Sequence, residues 1–281
     1  MEEGRQKLDF IGVAAETENF KSLAQAIRKR LDLDAEWAEG LGSWEDALQL
    51  LKKAIERIGI FVFSNGVVGL NNHRPLDPDE FRGFVLCDPI APVVFVNDAD
   101  TKSARIFTLA HELVHLWLGQ DGVFNLDQMM PAKNDTERFC NRVAAEFLIP
   151  AYKLTQRWED AKATAKPFHT IARWYKVSPV VAARRALDLK LITKAEFFTF
   201  YELDRAQWNK KKAAEREKAT GGNSYATQGV RLGRPFSAAV VRAAREGRIH
   251  YEEAFQLTGL KGQTFQKYAD IVLKRVRDER E

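Results

Sequence analysis

Two histidines four residues apart, with a glutamate directly after the first, constrain this 281-residue chain more than any other feature. They lie in His111-Glu112-Leu113-Val114-His115, inside a stretch whose apolar residues, Ile106, Leu109, Ala110, Leu113, Val114 and Trp117, have helical spacing. Asp98 or Asp100 is expected to cap this helix, and Gly119 is placed to end it. Residues four apart on a helix sit one above the other on the same face. Two imidazoles so placed can present nitrogens to one tetrahedral ion at about 2.0–2.1 Å. Glu112 then reaches a water on that ion, where it can act as general base. The isolated His73, His169 and His250 carry no such pattern and are expected to be structural.

A catalytic zinc needs a third protein ligand and an open position. After His115 the chain reads Leu116-Trp117-Leu118-Gly119-Gln120-Asp121, which offers no third histidine. The next helix is expected from about Thr136 to Leu148, stopped by Pro150. It offers two carboxylates, Glu137 and Glu146, nine residues apart. Helical spacing leaves the choice open, with a surface or helix-capping role the plainer expectation for Glu146. Cys140 is expected to be a small buried residue rather than a fourth ligand. Zn2+ is the default ion for such a donor set, with Mn2+ or another divalent cation as alternatives.

Around this helix the chain reads as α+β. Residues 18–31 and 44–58 have helical spacing, with Ser43 as N-cap of the second. Strands are expected at Ile60–Phe63, Val67–Leu70, Arg82–Leu86 and Val93–Val96, making a small, mainly antiparallel sheet. Residues 120–135 read as a polar connection. Two short helices over 168–192 join at Lys176-Val177-Ser178-Pro179, and helices over 235–276 turn at Gly247 and Gly259. The expected organisation is an N-terminal helical segment (1–58), a metallopeptidase-like core (59–150), a helix-turn-helix-like subdomain (151–204), a charged helix or linker (205–224) and a basic helical domain (225–281). Thr220–Ser224 is the best boundary. No secretory leader or membrane span is legible, so a cytoplasmic protein without membrane association is expected. Two cysteines, Cys87 and Cys140, exclude a disulfide scaffold. From Arg205 to Glu281 there are 17 Lys+Arg against 9 Asp+Glu, whereas the rest is slightly acidic, so the tail suits an acidic partner.

Glu137-Arg138-Phe139-Cys140-Asn141 resembles the segment that follows H-E-x-x-H in thermolysin-like gluzincins. That resemblance implies that Glu137 is the third ligand. It also puts Asn141 where those enzymes carry an Asp that orients a metal histidine, here His111. More closely, Phe107–His115 with Glu137–Pro150 resembles the ImmA/IrrE family of metallo-endopeptidases, bacterial and phage proteins with a minimal zincin core. Known members cleave transcriptional repressors. Residues 171–187 resemble the helix-turn-helix-like segment that commonly follows, and 231–265 resemble the C-terminal region of longer members. Many of those carry an N-terminal Xre-type domain, which this chain is expected to lack. The resemblance implies a zinc-dependent endopeptidase that cuts a regulatory protein, a repressor or antitoxin, at a restricted site. The alternative is a non-enzymatic, antitoxin-like regulator that binds DNA or a toxin through its helical tail.

Further expectations follow from single residues. Arg173, Lys176, Arg184 and Arg185 suit either phosphate contacts or a packed subdomain with solvated charges. Arg242, Arg245, Arg248, Lys261, Lys267, Lys274 and Arg275 pose the same choice in the tail. The 82–86 and 93–96 strands are candidates for a sheet edge that holds an extended substrate, Gly83 allowing close approach. Arg142, Tyr152, His169 and Tyr175 are candidates to stabilise an oxyanion.

Overall fold

The computed structural model describes residues 6–68, 71, 73–124, 135–216 and 231–278. It is α+β, as expected. Helices α1 (Phe20–Arg30) and α2 (Trp44–Arg57) lead into strands β1 (Phe61–Asn65), β2 (Gly83–Leu86) and β3 (Val93–Asn97). Then come α3 (Lys102–Leu118), β4 (Gly122–Phe124) and α4 (Asp135–Leu148). Short helices follow, α5 (Ala151–Gln156), α6 (Trp158–Lys162), α7 (Pro167–Tyr175) and α8 (Pro179–Asp188), and then the long α9 (Lys194–Arg216). The tail forms α10 (Arg234–Arg245), α11 (Tyr251–Thr258) and α12 (Gly262–Asp278). The best expected boundary, 220–224, lies outside the described residues.

The four strands lie in the order β1-β3-β2-β4. β1 runs parallel to β3, while β2 is antiparallel to both β3 and β4. Alternation along the strands sends Val62, Val94, Val96 and Val85 inward. The opposite face is aromatic. Phe63 and Phe84 both pair with Phe95 across the sheet, and the Phe84 and Phe95 rings stack at 5.0 Å. The expected strand at Val67–Leu70 is reduced to one bridge, Val67 with Pro75, and residues 69 and 70 lie outside the described set.

Helix α3 begins later than expected and is capped differently. Thr101 is the N-cap, its hydroxyl accepting from Ala104 N at 3.2 Å. Asp98 and Asp100 instead engage Arg105 and Arg82, flanking the helix start. Every residue from Ile106 to Leu118 is buried, so α3 is the central rod rather than an amphipathic surface helix. The sheet, α2 and α4 pack around it. The N-terminal stretch closes its far end, where Gly12 N and Ala14 N donate to the carbonyls of Leu116 and Trp117 and Phe10 stacks on Trp117 at 4.5 Å. Those bonds satisfy carbonyls that a helix terminus leaves open.

One apolar core takes side chains from Phe10 through Ala186, and a second, smaller core takes them from Val240 through Val272. The two meet at β1. Phe236 at the start of α10 packs edge-on against Phe61 and Phe63, with centroids 6.1 and 5.0 Å away. Gly233 lies so close that a Cβ there would sit 2.5 Å from the Val62 carbonyl oxygen. No helix among the described residues is long and apolar enough to cross a membrane.

Candidate metal centre

Both histidines face α4 from the middle of α3. His111 is fully buried and His115 nearly so. Their Nε2 atoms are 3.1 Å apart. From α4, Glu137 brings one carboxylate oxygen to 3.1 Å from His111 Nε2 and the other to 3.3 Å from His115 Nε2. Ligands about 2.0–2.1 Å from a tetrahedral ion lie about 3.3 Å from one another. The three side chains therefore stand at the mutual spacing one ion requires, and 27% of the Glu137 side chain remains exposed. His111 Nδ1 is 3.1 Å from Asn141 Oδ1, one helical turn beyond Glu137. An Nδ1–H donated to that amide oxygen leaves the Nε2 lone pair directed into the cluster.

Electrostatics fit the same use. Burial lowers the pKa of His111 and favours the neutral imidazole that binds a cation. Burial alone would raise the Glu137 carboxyl, but hydrogen bonds and charge from the two imidazoles outweigh it and hold Glu137 well below the usual carboxylate range. Glu112 is the opposite case. It is wholly buried, and burial followed by the charge of Glu137 pushes its pKa well up. Neither of its carboxylate oxygens has a hydrogen-bond partner among the described residues. A buried carboxylate without partners is costly, and a cation with bound water beside it supplies what this one lacks. The donor set and this orphaned carboxylate fit a divalent ion held by His111, His115 and Glu137.

Cys140 belongs to the same cluster, its thiol lying within 4.8 Å of the imidazole nitrogens. Burial first, then the charges of Glu137 and Glu112, raise its pKa and keep it a neutral thiol. Glu146 lies apart, and it is buried rather than on the surface. It pairs with Arg185 and accepts from Ala151 N at 3.2 Å, so the capping half of its expected role holds. Arg185 Nε also donates to Ile149 O at 3.0 Å, and Arg28 donates to the carbonyls of Glu146 and Phe147 at 2.8 and 3.1 Å. Two arginines thus close the negative end of α4 and pin α1 and α8 to it.

The strands expected to offer an edge, β2 and β3, are the inner pair of the sheet, and the outer strand beside the metal ligands is β4. A Cβ at Gly122 would lie 3.3 Å from the His115 ring. Sequence reading passed over β4 because three residues show no periodicity. The available signal was a glycine before Val123-Phe124, three residues after the cap at Gly119. Asp121 anchors this strand by accepting from Cys87 N at 2.5 Å. Gly83 does permit a close approach, but to α3 rather than to a substrate. A Cβ there would be 2.6 Å from the Thr108 methyl group and 3.4 Å from Glu112 Oε1.

The contacts of the oxyanion candidates among the described residues are with groups other than the metal ligands. The Arg142 guanidinium lies over the Phe20 ring at 4.3 Å, and Tyr152 sits beside Lys153. His169 faces Asp204 and Phe200. Tyr175 is buried near Arg157, Glu36 and Glu39, its hydroxyl without a hydrogen-bond partner among the described residues. In the 171–187 segment, Lys176 and Arg185 are buried and make internal bonds, to Arg173 O and to Glu146, so they are not available to phosphates.

A helix bearing both histidines and the glutamate, packed beside a small sheet and met by a carboxylate from the next helix, is consistent with a minimal zincin core. Residues 55–187 match the family model described as the IrrE N-terminal-like domain, peptidase family M78, and this match supports an ImmA/IrrE-family metallopeptidase. Residues 232–271 match a second model, described as a domain of unknown function (DUF8813). No curated protein matches the chain.

Proposed function

We propose that this protein is a zinc-dependent endopeptidase that cuts a regulatory protein, a repressor or antitoxin, at a restricted site. The single observation that carries this reading is the convergence of His111, His115 and Glu137 at ligand spacing beside Glu112, whose carboxylate has no hydrogen-bond partner among the described residues. A divalent ion bound by these three side chains would supply Lewis acidity toward a peptide carbonyl and would lower the pKa of a bound water. Glu112 accepts the proton that the attacking water gives up and returns it to the leaving amine. Asn141 keeps His111 in the tautomer that binds metal. The outer strand β4, beside His115, offers a backbone edge along which an extended substrate segment can add as a further strand. Strand addition favours a flexible, extended stretch of the target, which restricts where cutting occurs.

The test is Glu112→Gln with His115→Ala beside it. Elemental analysis is expected to find one bound ion in the wild type and in Glu112→Gln, and a strongly reduced content in His115→Ala. Glu112→Gln is expected to lower cleavage of an unfolded reporter protein by about 10²–10⁴-fold. Unchanged cleavage in Glu112→Gln would instead favour the reading as a regulator that acts by binding alone.

A further inference from the structure

We propose that α11, α12 and the turn between them form a helix-turn-helix that binds duplex DNA, with α12 as the helix that enters the major groove. This activity is separate from peptide cleavage. α11 ends at Thr258 and α12 begins at Gly262, so the turn is Gly259-Leu260-Lys261. Turns of three or four residues, often with a glycine, join the two helices of such motifs. Gly259 takes a left-handed conformation, φ 67°, which ends α11 abruptly. The inner side is a packed unit in which Ala254, Thr258, Leu260, Phe265, Tyr268 and Ala269 are buried, with α10 closing it through Val240, Val241 and Ala244.

The outer side of α12 has the opposite composition. Gln263, Gln266, Lys267 and Lys274 are exposed, and Lys261 is exposed in the turn just before them. These exposures hold with the peptidase present, because the tail docks through Gly233 and Phe236 at the start of α10. Two of the nearby acids are already paired. Asp270 binds Arg245 at 2.5 Å, and Glu246 binds Arg248 at 2.6 Å. Glu252 and Glu253 lie in the first turn of α11. Recognition helices touch base edges with their N-terminal residues, where glutamine suits adenine and lysine suits guanine or phosphate. The α7–α8 pair has a similar turn, but the one cation that α8 shows to solvent before Asp188, Arg184, is paired with Asp188 at 3.0 Å, and Arg185 is buried. That pair is packed, whereas α11–α12 presents a helix to solvent.

The experiment uses the full chain and a fluorescent 30-base-pair duplex library of random sequence. Binding is followed by anisotropy from low to moderate salt, and bound members are sequenced. Expected are a negative slope of log affinity against log salt, reduced by about 0.9 for each of Lys261→Ala and Lys267→Ala, and an enriched sequence in the bound pool. Gln263→Ala with Gln266→Ala is expected to keep the slope and lose about 10-fold or more of the preference for that sequence. All four positions are exposed, and thermal melting checks that the variants fold. Absence of duplex binding would overturn the proposal. So would binding that Lys210→Ala, Lys211→Ala and Lys212→Ala abolish while the α12 variants leave it intact. Equal binding to heparin with no enriched sequence would overturn it too, as would a protein ligand displacing DNA through a surface other than α12.

Discussion

Gly83 shows how one missing methyl group shapes the site. Its backbone lies against the Thr108 methyl group and the Phe95 carbonyl oxygen, with Glu112 just beyond. Gly83→Ala is expected to force β2 away from α3 and destabilise the protein by about 1–3 kcal/mol. A thermal melt measures that, and a Tm equal to wild type would show that the contact is not tight. The neighbouring histidine pair was legible in the sequence because helix geometry alone brings residues 111 and 115 onto one face. The third ligand was less legible. Glu137 and Glu146 are nine residues apart, and spacing along α4 does not say which end meets α3. The fold separates them by environment. Glu137 lies open beside the imidazoles, while Glu146 lies buried beneath two arginines.

Helices were more legible than strands, for reasons these elements show. α1, α2, α7 and α8 each combine an apolar face with a clear start or stop, such as Asn19 or Ser43 as cap and Pro167 or Pro179 in the first turn. β4 has only three residues and exists because β2 pairs with it. The cap of α3 was misplaced because Asp98 and Asp100 pair with arginines, which leaves Thr101 to accept the helix amide. A basic sequence pattern was also ambiguous for α8. Its Arg185 is a tether, bound to Glu146 and Ile149 at the end of α4. Removing one member of a buried ion pair leaves the other uncompensated and costs about 3–5 kcal/mol. Arg185→Met is therefore expected to lower the urea midpoint sharply, and Arg185→Met with Glu146→Gln to recover part of the loss. A midpoint unchanged in the single variant would show that α8 is held by apolar packing alone.

At the scale of the whole molecule, the described residues form two cores of unequal size that share a small contact at β1. That contact consists of Phe236 against Phe61 and Phe63, Gly233 against the Val62 carbonyl, and Arg234 N donating to Glu56 at 3.1 Å. It covers part of an aromatic sheet face on the side away from the metal ligands, so the tail can sit on the peptidase without touching its chemistry. A contact this small couples the two cores weakly, because aromatic pairs contribute about 0.5–1.5 kcal/mol each beyond burial. Scanning calorimetry is expected to resolve two transitions, the smaller from the tail. Phe236→Ala is expected to lower the tail transition by several degrees while the larger one stays within about a degree, since a domain of this size shifts by roughly 4–8 °C per kcal/mol. A single transition that moves as a whole would mean that the two cores fold as one cooperative unit. In that case a ligand held by α12 would stabilise the peptidase through β1 as strongly as it stabilises the tail.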